Sequence, residues 1–382
     1  MEIILAAETP SAYNGLPMLS SCMAMFLTVE SAASRCDHRP KLLFELAVIN
    51  NSISASLISA LLFLSLLSCG PHTAAQLPAN SSLVELIPIE LDSRNPERKE
   101  FGRLTFLKGF QLRSRDPRFG GLSGLTIDTG GKLYSVSDRG YWVSAQMSFD
   151  ADGRLSDLTD WKIQPILSTT GAPVTGPFYD AEALARAPDG SFLVGFEGVH
   201  RIWRYAPPPA TFDSLPAPVP VPPELAKAPA NGGIESLAVL PDGRILAITE
   251  AFANRDGSFK GWLLEGGSFA ELSYLPSDGF QASDCAALKN GDVIVLERRY
   301  VPLGILYARL KLVRAGNIRS GAKLIGEELL RLEYPLEVDN FEGVAVEEDP
   351  LKGTMIYLVS DDNYNSFQRT LLLQFRFAPP EN

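Results

Sequence analysis

Three features of the sequence predict an all-β fold made of four-stranded antiparallel units repeated about an axis. A strand-turn-strand motif recurs as GLSGLTIDTGGKLYSVSDRG (121–140), DAEALARAPDGSFLVGFEG (180–198), GIESLAVLPDGRILAITEA (233–251), SDCAALKNGDVIVLERR (283–299) and NFEGVAVEEDPLKGTMIYLVSDDN (340–363). Its anchor residues Ser123, Glu182, Glu235, Asp284 and Glu342 are spaced by 59, 53, 49 and 58 residues, which leaves room for about four short strands per repeat. The 31 glycines and 28 prolines punctuate the chain as short strands and turns require. Together these predict a β-propeller with five recognisable blade motifs, of five or six blades, preceded by an export signal.

The elements follow in chain order. Leu57 to Leu67 (LISALLFLSLL) has the length of a signal-peptide core and is short for a membrane span; Arg39 and Lys41 precede it. It runs into Leu66-Leu67-Ser68-Cys69, similar to a bacterial lipoprotein box in which Cys69 carries the lipid. Ala74-Ala75 offers an ordinary cleavage site instead. Residues 1–75 are therefore expected to be an export segment and preamble, 76–100 a linker or edge strand, and 101–378 the propeller. The expected location is the periplasm, or a lipoprotein anchored to the membrane, of a Gram-negative bacterium. Of the 4 cysteines only Cys285 lies beyond residue 69, so the exported form is expected to lack an internal disulfide.

Within the repeats, Gly130-Gly131, Asp189-Gly190, Asp242-Gly243 and Asn290-Gly291 are the dipeptides of two-residue hairpin turns; the fifth unit turns more broadly around Pro350 to Gly353. Apolar runs such as Phe192-Leu193-Val194 and Val293-Ile294-Val295-Leu296 suit inner strands covered on both faces. The Pro-rich stretch Ala206 to Ala230 cannot join a central sheet and reads as a surface excursion between blades two and three. Phe101 to Leu112 is expected to pair with Thr370 to Phe377 and close the ring.

Residues equidistant from a two-residue turn face each other across the hairpin. That symmetry pairs Ser123 with Asp138, Glu182 with Glu197, Glu235 with Glu250 and Asp284 with Glu297; Glu342 and Asp361 match it across the longer turn. The expected result is acids from every blade on one rim around the axis. Opposed carboxylates raise each other's pKa or need a positive guest. The guest is either a hard cation such as Ca²⁺ or the nearby arginines Arg139, Arg298, Arg299 and Arg369. The alternative use of the same acids is to accept backbone amides of neighbouring blades and lock the ring. Asp362 adds a further oxygen ligand within Ser360-Asp361-Asp362-Asn363-Tyr364-Asn365.

Charge narrows the partners: 34 basic against 45 acidic residues give a net charge of −11, which excludes a nucleic-acid partner. Ser123 misses the G-x-S-x-G spacing of a nucleophile elbow, and His200, the only histidine inside the repeats, reads as exposed or backbone-bonded.

The ordered motifs Gly121-Leu122-Ser123-Gly124-Leu125, Ser137-Asp138-Arg139-Gly140, Asp180-Ala181-Glu182, Gly233-Ile234-Glu235, Leu296-Glu297-Arg298-Arg299, Asp339-Asn340-Phe341-Glu342-Gly343, Ser360-Asp361-Asp362-Asn363 and Gln368-Arg369-Thr370 resemble the bacterial phytase-like domain family over roughly residues 100 to 378. Its members are labelled esterase-like activity of phytase, after distant similarity to calcium-dependent propeller phytases. The chain does not match the catalytic motifs of those phytases residue by residue, and it has no basic cluster dense enough for a highly phosphorylated substrate. The resemblance implies a monomeric, Ca²⁺-assisted hydrolase of a small-molecule phosphoester or carboxylic ester. The roles expected are catalytic for Glu182, Glu235, Arg139 and Arg298, substrate-binding for Ser123, Arg299 and Arg369, and metal-holding for Asp138, Glu197, Glu250, Asp284, Glu297, Glu342, Asp361 and Asp362. A non-catalytic propeller binding a ligand or protein at the same rim is the alternative, and a calcium-dependent lactonase is a third reading.

Overall fold

A computed structural model describes residues 83–301, 305–349 and 353–377. The export segment, including Leu57 to Leu67 and Cys69, and the middle of the fifth turn lie outside the described residues. The described chain forms five sheets of four to six strands, antiparallel except where Lys323–Leu324 pairs parallel with the edge of the third, so the propeller has five blades.

Each blade begins with the strand nearest the axis. These inner strands are Leu122–Ile127, Ala181–Arg186, Ile234–Val239, Gln281–Ala287 and Asn340–Asp349, and each packs beside the inner strands of both neighbouring blades. Leu125, Leu184, Leu237, Cys285 and Ala345, one from each, line a narrow axial cavity of about 180 Å³. The inner strands carry small or branched apolar residues because they are covered on both faces. Five apolar clusters fill the gaps between blades, one per interface. Trp142 and Phe192 join blades one and two, for example, and Trp262 and Leu193 join blades two and three.

The expected closure is present. Leu104–Ser114 pairs antiparallel with Thr370–Phe377, so an early strand completes the last blade, and Val84–Ile89 adds an outer strand to the same sheet. The Pro-rich excursion supplies a strand as well: Ala217–Val219 is the outer edge of blade two, where Pro218 sits opposite Trp203. An edge position tolerates its missing amide.

The hairpins differ from the two-residue turns that their dipeptides suggest. In blade two the Ala187 amide donates to the Ser191 carbonyl (2.8 Å) and the Gly190 amide to the Ala187 carbonyl (2.9 Å), enclosing a three-residue loop. Blades one, three and four repeat this pattern around Gly131, Gly243 and Gly291. Those glycines take φ of +72°, +90° and +86°, and Gly190 takes +83°, as a type I turn followed by a glycine bulge requires. Pro188 and Pro241 occupy the first loop position, which suits a type I turn.

Every inner strand then contains a second bulge, at Gly124, Glu182, Glu235, Ser283 and Glu342. The strict mirror pairing of the acids therefore does not hold. The residues facing one another beyond the bulge are Gly121 and Asp138, Asp180 and Glu197, Gly233 and Glu250, Gln281 and Arg298, and Asn340 and Asp361. A bulge releases its residue from the ladder and re-aims the side chain. Glu182, Glu235 and Glu342 are turned in this way into a common cluster.

Gly124 shows how closely the blades approach. Its φ is +65°, and a Cβ there would lie 2.6 Å from the Leu184 amide nitrogen of blade two; a Cβ on Gly243 would meet nothing within 4 Å. Gly243→Ala is expected to cost about 1–2 kcal/mol from the left-handed backbone alone. Gly124→Ala should cost distinctly more, because the inner strand of blade two must move. Urea unfolding of the two variants checks this, and equal losses would refute the close blade contact.

Candidate functional site

Blade four breaks the acidic pattern at the cluster. Asp138, Glu197, Glu250 and Asp361 occupy the second-strand position facing the start of the inner strand, and in blade four that position holds Arg298. Its Nη2 lies 2.9 Å from Glu250 Oε1 and 3.7 Å from Glu235 Oε2 of blade three. Its Nη1 lies 3.1 Å from Glu342 Oε1 and donates to Asn340 Oδ1 at 3.1 Å, both in blade five. Burial disfavours the guanidinium charge, but Glu342, Glu235 and Glu250 outweigh that and raise its pKa. A resident cation thus balances half of the cluster.

Contacts continue around the axis. Ser123 Oγ donates to Glu342 Oε2 (2.9 Å) and is in hydrogen-bonding contact with Glu182; Asn340 Nδ2 donates to Glu342 Oε1 (2.5 Å). Glu182 in turn lies beside Asp180, and two neighbouring carboxyl groups disfavour each other's charged form. Burial, then Glu342 and Asp180, hold the Glu182 pKa well above the carboxylate range, and burial also raises that of Asp180. Burial followed by Asp180 and Glu342 pushes Asp138 up to about 7. Burial and Glu342 push Asp361 to about 9, although its Oδ1 accepts the Asn363 amide at 2.6 Å. Burial and Glu250 raise Glu235 despite Arg298.

Asp138, Asp180, Glu182 and Asp361 make no ion pair with lysine or arginine among the described residues, and Asp138 Oδ1 is buried with no hydrogen-bond partner. Their donor set, carboxylate oxygen throughout with an orphaned buried atom, fits a hard cation. No three acidic, histidine or cysteine side chains among the described residues are already gathered in a metal-holding geometry.

The remaining candidates lie elsewhere or are already engaged. Glu197 accepts the Gly232 (2.8 Å) and Gly233 amides, and burial pushes it up to about 7. Asp362 accepts the Gly121 and Tyr364 amides and the Thr370 hydroxyl, each at 3.1 Å. Asp284 is fully buried and accepts the Cys285 (2.8 Å), Val344 (2.7 Å) and Leu125 amides, so it locks blade four to blades five and one. Glu297 is fully buried against Arg309 and the Tyr274 hydroxyl, on the other face of the strand from Arg298. Arg299 also points away, bonding the Asp278 carbonyl (2.8 Å) and stacking over Tyr307. Arg369 pairs with Glu337 (2.8 Å) and Asp339 (3.4 Å). Arg139 is exposed, with its guanidinium over the Tyr364 ring at 3.4 Å. His200 Nε2 lies 2.9 Å from the Pro229 carbonyl, as a backbone-bonded histidine does.

Asp180, Asn340 and Tyr364 belong to the cluster although the mirror pairing does not select them. Asp180 faces Glu197 only when the three-residue loop of blade two and the bulge at Glu182 are both counted; the loop alone would put Ala181 there.

Two outcomes follow. Arg298→Gln leaves Glu235, Glu250 and Glu342 without their counter-charge and should cost about 3–5 kcal/mol, as loss of one partner from a buried pair does; a loss below about 1 kcal/mol in urea unfolding would contradict the pairing. Asp138, Glu197 and Asp361 have folded pKa values above their unfolded ones, so the folded state binds more protons. Their stabilising contribution is complete below about pH 4 and is lost as pH rises through about 7 and 9. The melting temperature in chelator should therefore fall across that interval, and Asp138→Asn should flatten its lower part.

Several solved structures are similar to this chain at low identity. An aldose sugar dehydrogenase from Streptomyces coelicolor in its PQQ-bound form is 16% identical, covering 68% of this chain and 94% of that one at a TM-score of 0.39. A gluconolactonase from Xanthomonas campestris is 10% identical (76% and 97% covered, TM-score 0.35), and the WD40 β-propeller domain of Doa1 is 13% identical (73% and 98%, TM-score 0.35). Comparison with curated proteins gives no match. The sequence profile of one family matches residues 117–364, which span the cluster, blades one to four and the first two strands of blade five, and the chain belongs to that family: phytase-like, described as esterase-like activity of phytase.

Proposed function

We propose that the protein is a metal-assisted hydrolase of phosphoesters or carboxylic esters, with its site in the half of the cluster that Arg298 leaves unbalanced. The observation that carries this reading is the set Asp138, Asp180, Glu182 and Asp361, four acids from three blades with no basic partner and with protonation pushed upward by burial. Buried acids without a basic partner repel one another, so a cation is the natural occupant once their side chains close on it. These four residues would hold Ca²⁺, which when bound supplies Lewis-acid polarisation of the ester oxygen and a more acidic water.

The chain's own groups do the rest. A carboxylate near neutrality accepts a proton efficiently at physiological pH, and Asp138, at about 7, meets that condition. Glu182, next to Asp180 in the same cluster, takes the same role as the pH rises. Arg298 fixes Glu235, Glu250 and Glu342 and so keeps the wall of the site in one arrangement. Arg139 stands at the mouth, where a developing anion meets a guanidinium.

A second reading is a propeller that binds a ligand or protein without turnover. It is favoured by the completeness of the Arg298 network, which leaves Glu235, Glu250 and Glu342 no role beyond structure. A lactone is the cyclic case of the first chemistry and falls within it. We also propose that the mature protein is exported through Leu57 to Leu67 and works outside the cytoplasm, with Cys69 lipidated or with cleavage after Ala75.

Turnover of chromogenic phosphate and acyl esters with Ca²⁺ and with chelator separates the readings. The hydrolase reading expects Ca²⁺ to raise both turnover and melting temperature, and Glu182→Gln to lower turnover by about 100-fold or more. Stabilisation by Ca²⁺ without turnover of either ester leaves the binding reading, and neither effect removes both.

A further inference from the structure

We infer that the ligand of this site carries a single anionic group joined to an apolar, aryl-like body, with Arg139 taking the anion and the exposed aromatics beside it taking the body. The inference rests on the site proposed above but not on its chemistry.

The argument begins with the cations. Arg298 is engaged by Glu235, Glu250 and Glu342, Arg369 by Glu337 and Asp339, Arg309 by Glu297, and Arg299 is turned to the other face of its strand. Arg139 adjoins Asp138, is exposed, and forms no ion pair among the described residues. Tyr364 supports it from below: the guanidinium stacks 3.4 Å over the ring, and the phenol bonds Ser137 Oγ at 2.8 Å. Gly121 makes room for this platform, since a Cβ there would lie 2.4 Å from the Tyr364 ring. A stacked, unpaired guanidinium still offers its edge to an oxyanion. One such group suits one anionic substituent, and a polyanion would meet the neighbouring carboxylates.

The apolar part follows from the flanking loops. Tyr179, 41% exposed, lies against Gly140 on one side of Arg139, and Phe178 beside it is 47% exposed. Phe367, 95% exposed, follows Tyr364 by three residues in the same loop. Single exposed aromatics are ordinary, but here they sit on the two loops that touch the Arg139 turn, through Tyr179 against Gly140 and Tyr364 under Arg139.

The test uses the full-length protein, loaded with Ca²⁺, and a ligand that cannot be hydrolysed. Phenylphosphonate should bind in calorimetry, Arg139→Gln should weaken it about tenfold, the loss of one charge-assisted hydrogen bond, and Phe367→Ala should weaken phenylphosphonate but not methylphosphonate. Both side chains are exposed, so the variants are expected to fold, and circular dichroism checks this. Tighter binding of inositol hexakisphosphate than of phenylphosphonate, or binding indifferent to Arg139, would overturn the inference. Binding as described with no turnover of any ester would sustain it while removing the hydrolase reading. Turnover of p-nitrophenyl phosphate with an unchanged preference over a neutral p-nitrophenyl ester in Arg139→Gln would do the reverse.

Discussion

The polar contacts around Arg298 set the terms for the rest of the structure. One guanidinium from blade four meets carboxylates from blades three and five, Glu342 of blade five meets Ser123 of blade one, and Ser123 meets Glu182 of blade two. All five blades are joined at one end of the axis by charge and hydrogen bonding, while apolar clusters join them along their flanks. An acid ring without this arginine would repel itself apart. With it, only part of the ring remains electrostatically frustrated, and that part is where a cation or a proton has something to gain.

Two kinds of acid therefore coexist at the axis. Asp284 has its oxygens engaged by amides of three inner strands and acts as a rivet, with burial raising its pKa because no cation is near. Asp138 has an oxygen with no partner at all. Burying a polar atom without a hydrogen bond is costly, and native folds retain such atoms where a ligand completes them. The contrast explains why residue type alone does not separate structural from functional carboxylates here: the neighbouring amides decide.

Much of the fold was legible because the hairpin motif repeats with little change, and the closing strand was legible because Phe101 to Leu112 alternates like its partner Thr370 to Phe377 and had no other unit to join. The site was legible only in part. Counting two residues in each turn placed Glu297 opposite Asp284, whereas Leu296 stands there and Arg298 faces Gln281 beyond the bulge. Pro188 and Pro241 before the Asp-Gly pairs were the available sign of a three-residue loop, since proline favours the first corner of a type I turn. The second bulge had no such sign. Glu182, Glu235 and Glu342, which the mirror pairing selects, are the bulged residues themselves, whereas Asp284 lies one position past Ser283, the bulged residue of its blade. Which arginine faces the axis depends on that single step of register, and strand alternation sends Arg298 and Arg299 to opposite faces.

The seam in the fifth blade carries a kinetic consequence. Leu104–Ser114 lies between Val84–Ile89 and Thr370–Phe377, so a strand near the start of the domain must wait for one near its end. Pairing across so long a separation costs loop entropy before it returns any contact, and it is intrinsically slow. Until then the early hairpins have an unfilled neighbour and two raw sheet edges. The circle is thus latched at one place, and a chain interrupted before residue 370 would hold four complete blades and two halves of the fifth with nothing to join them.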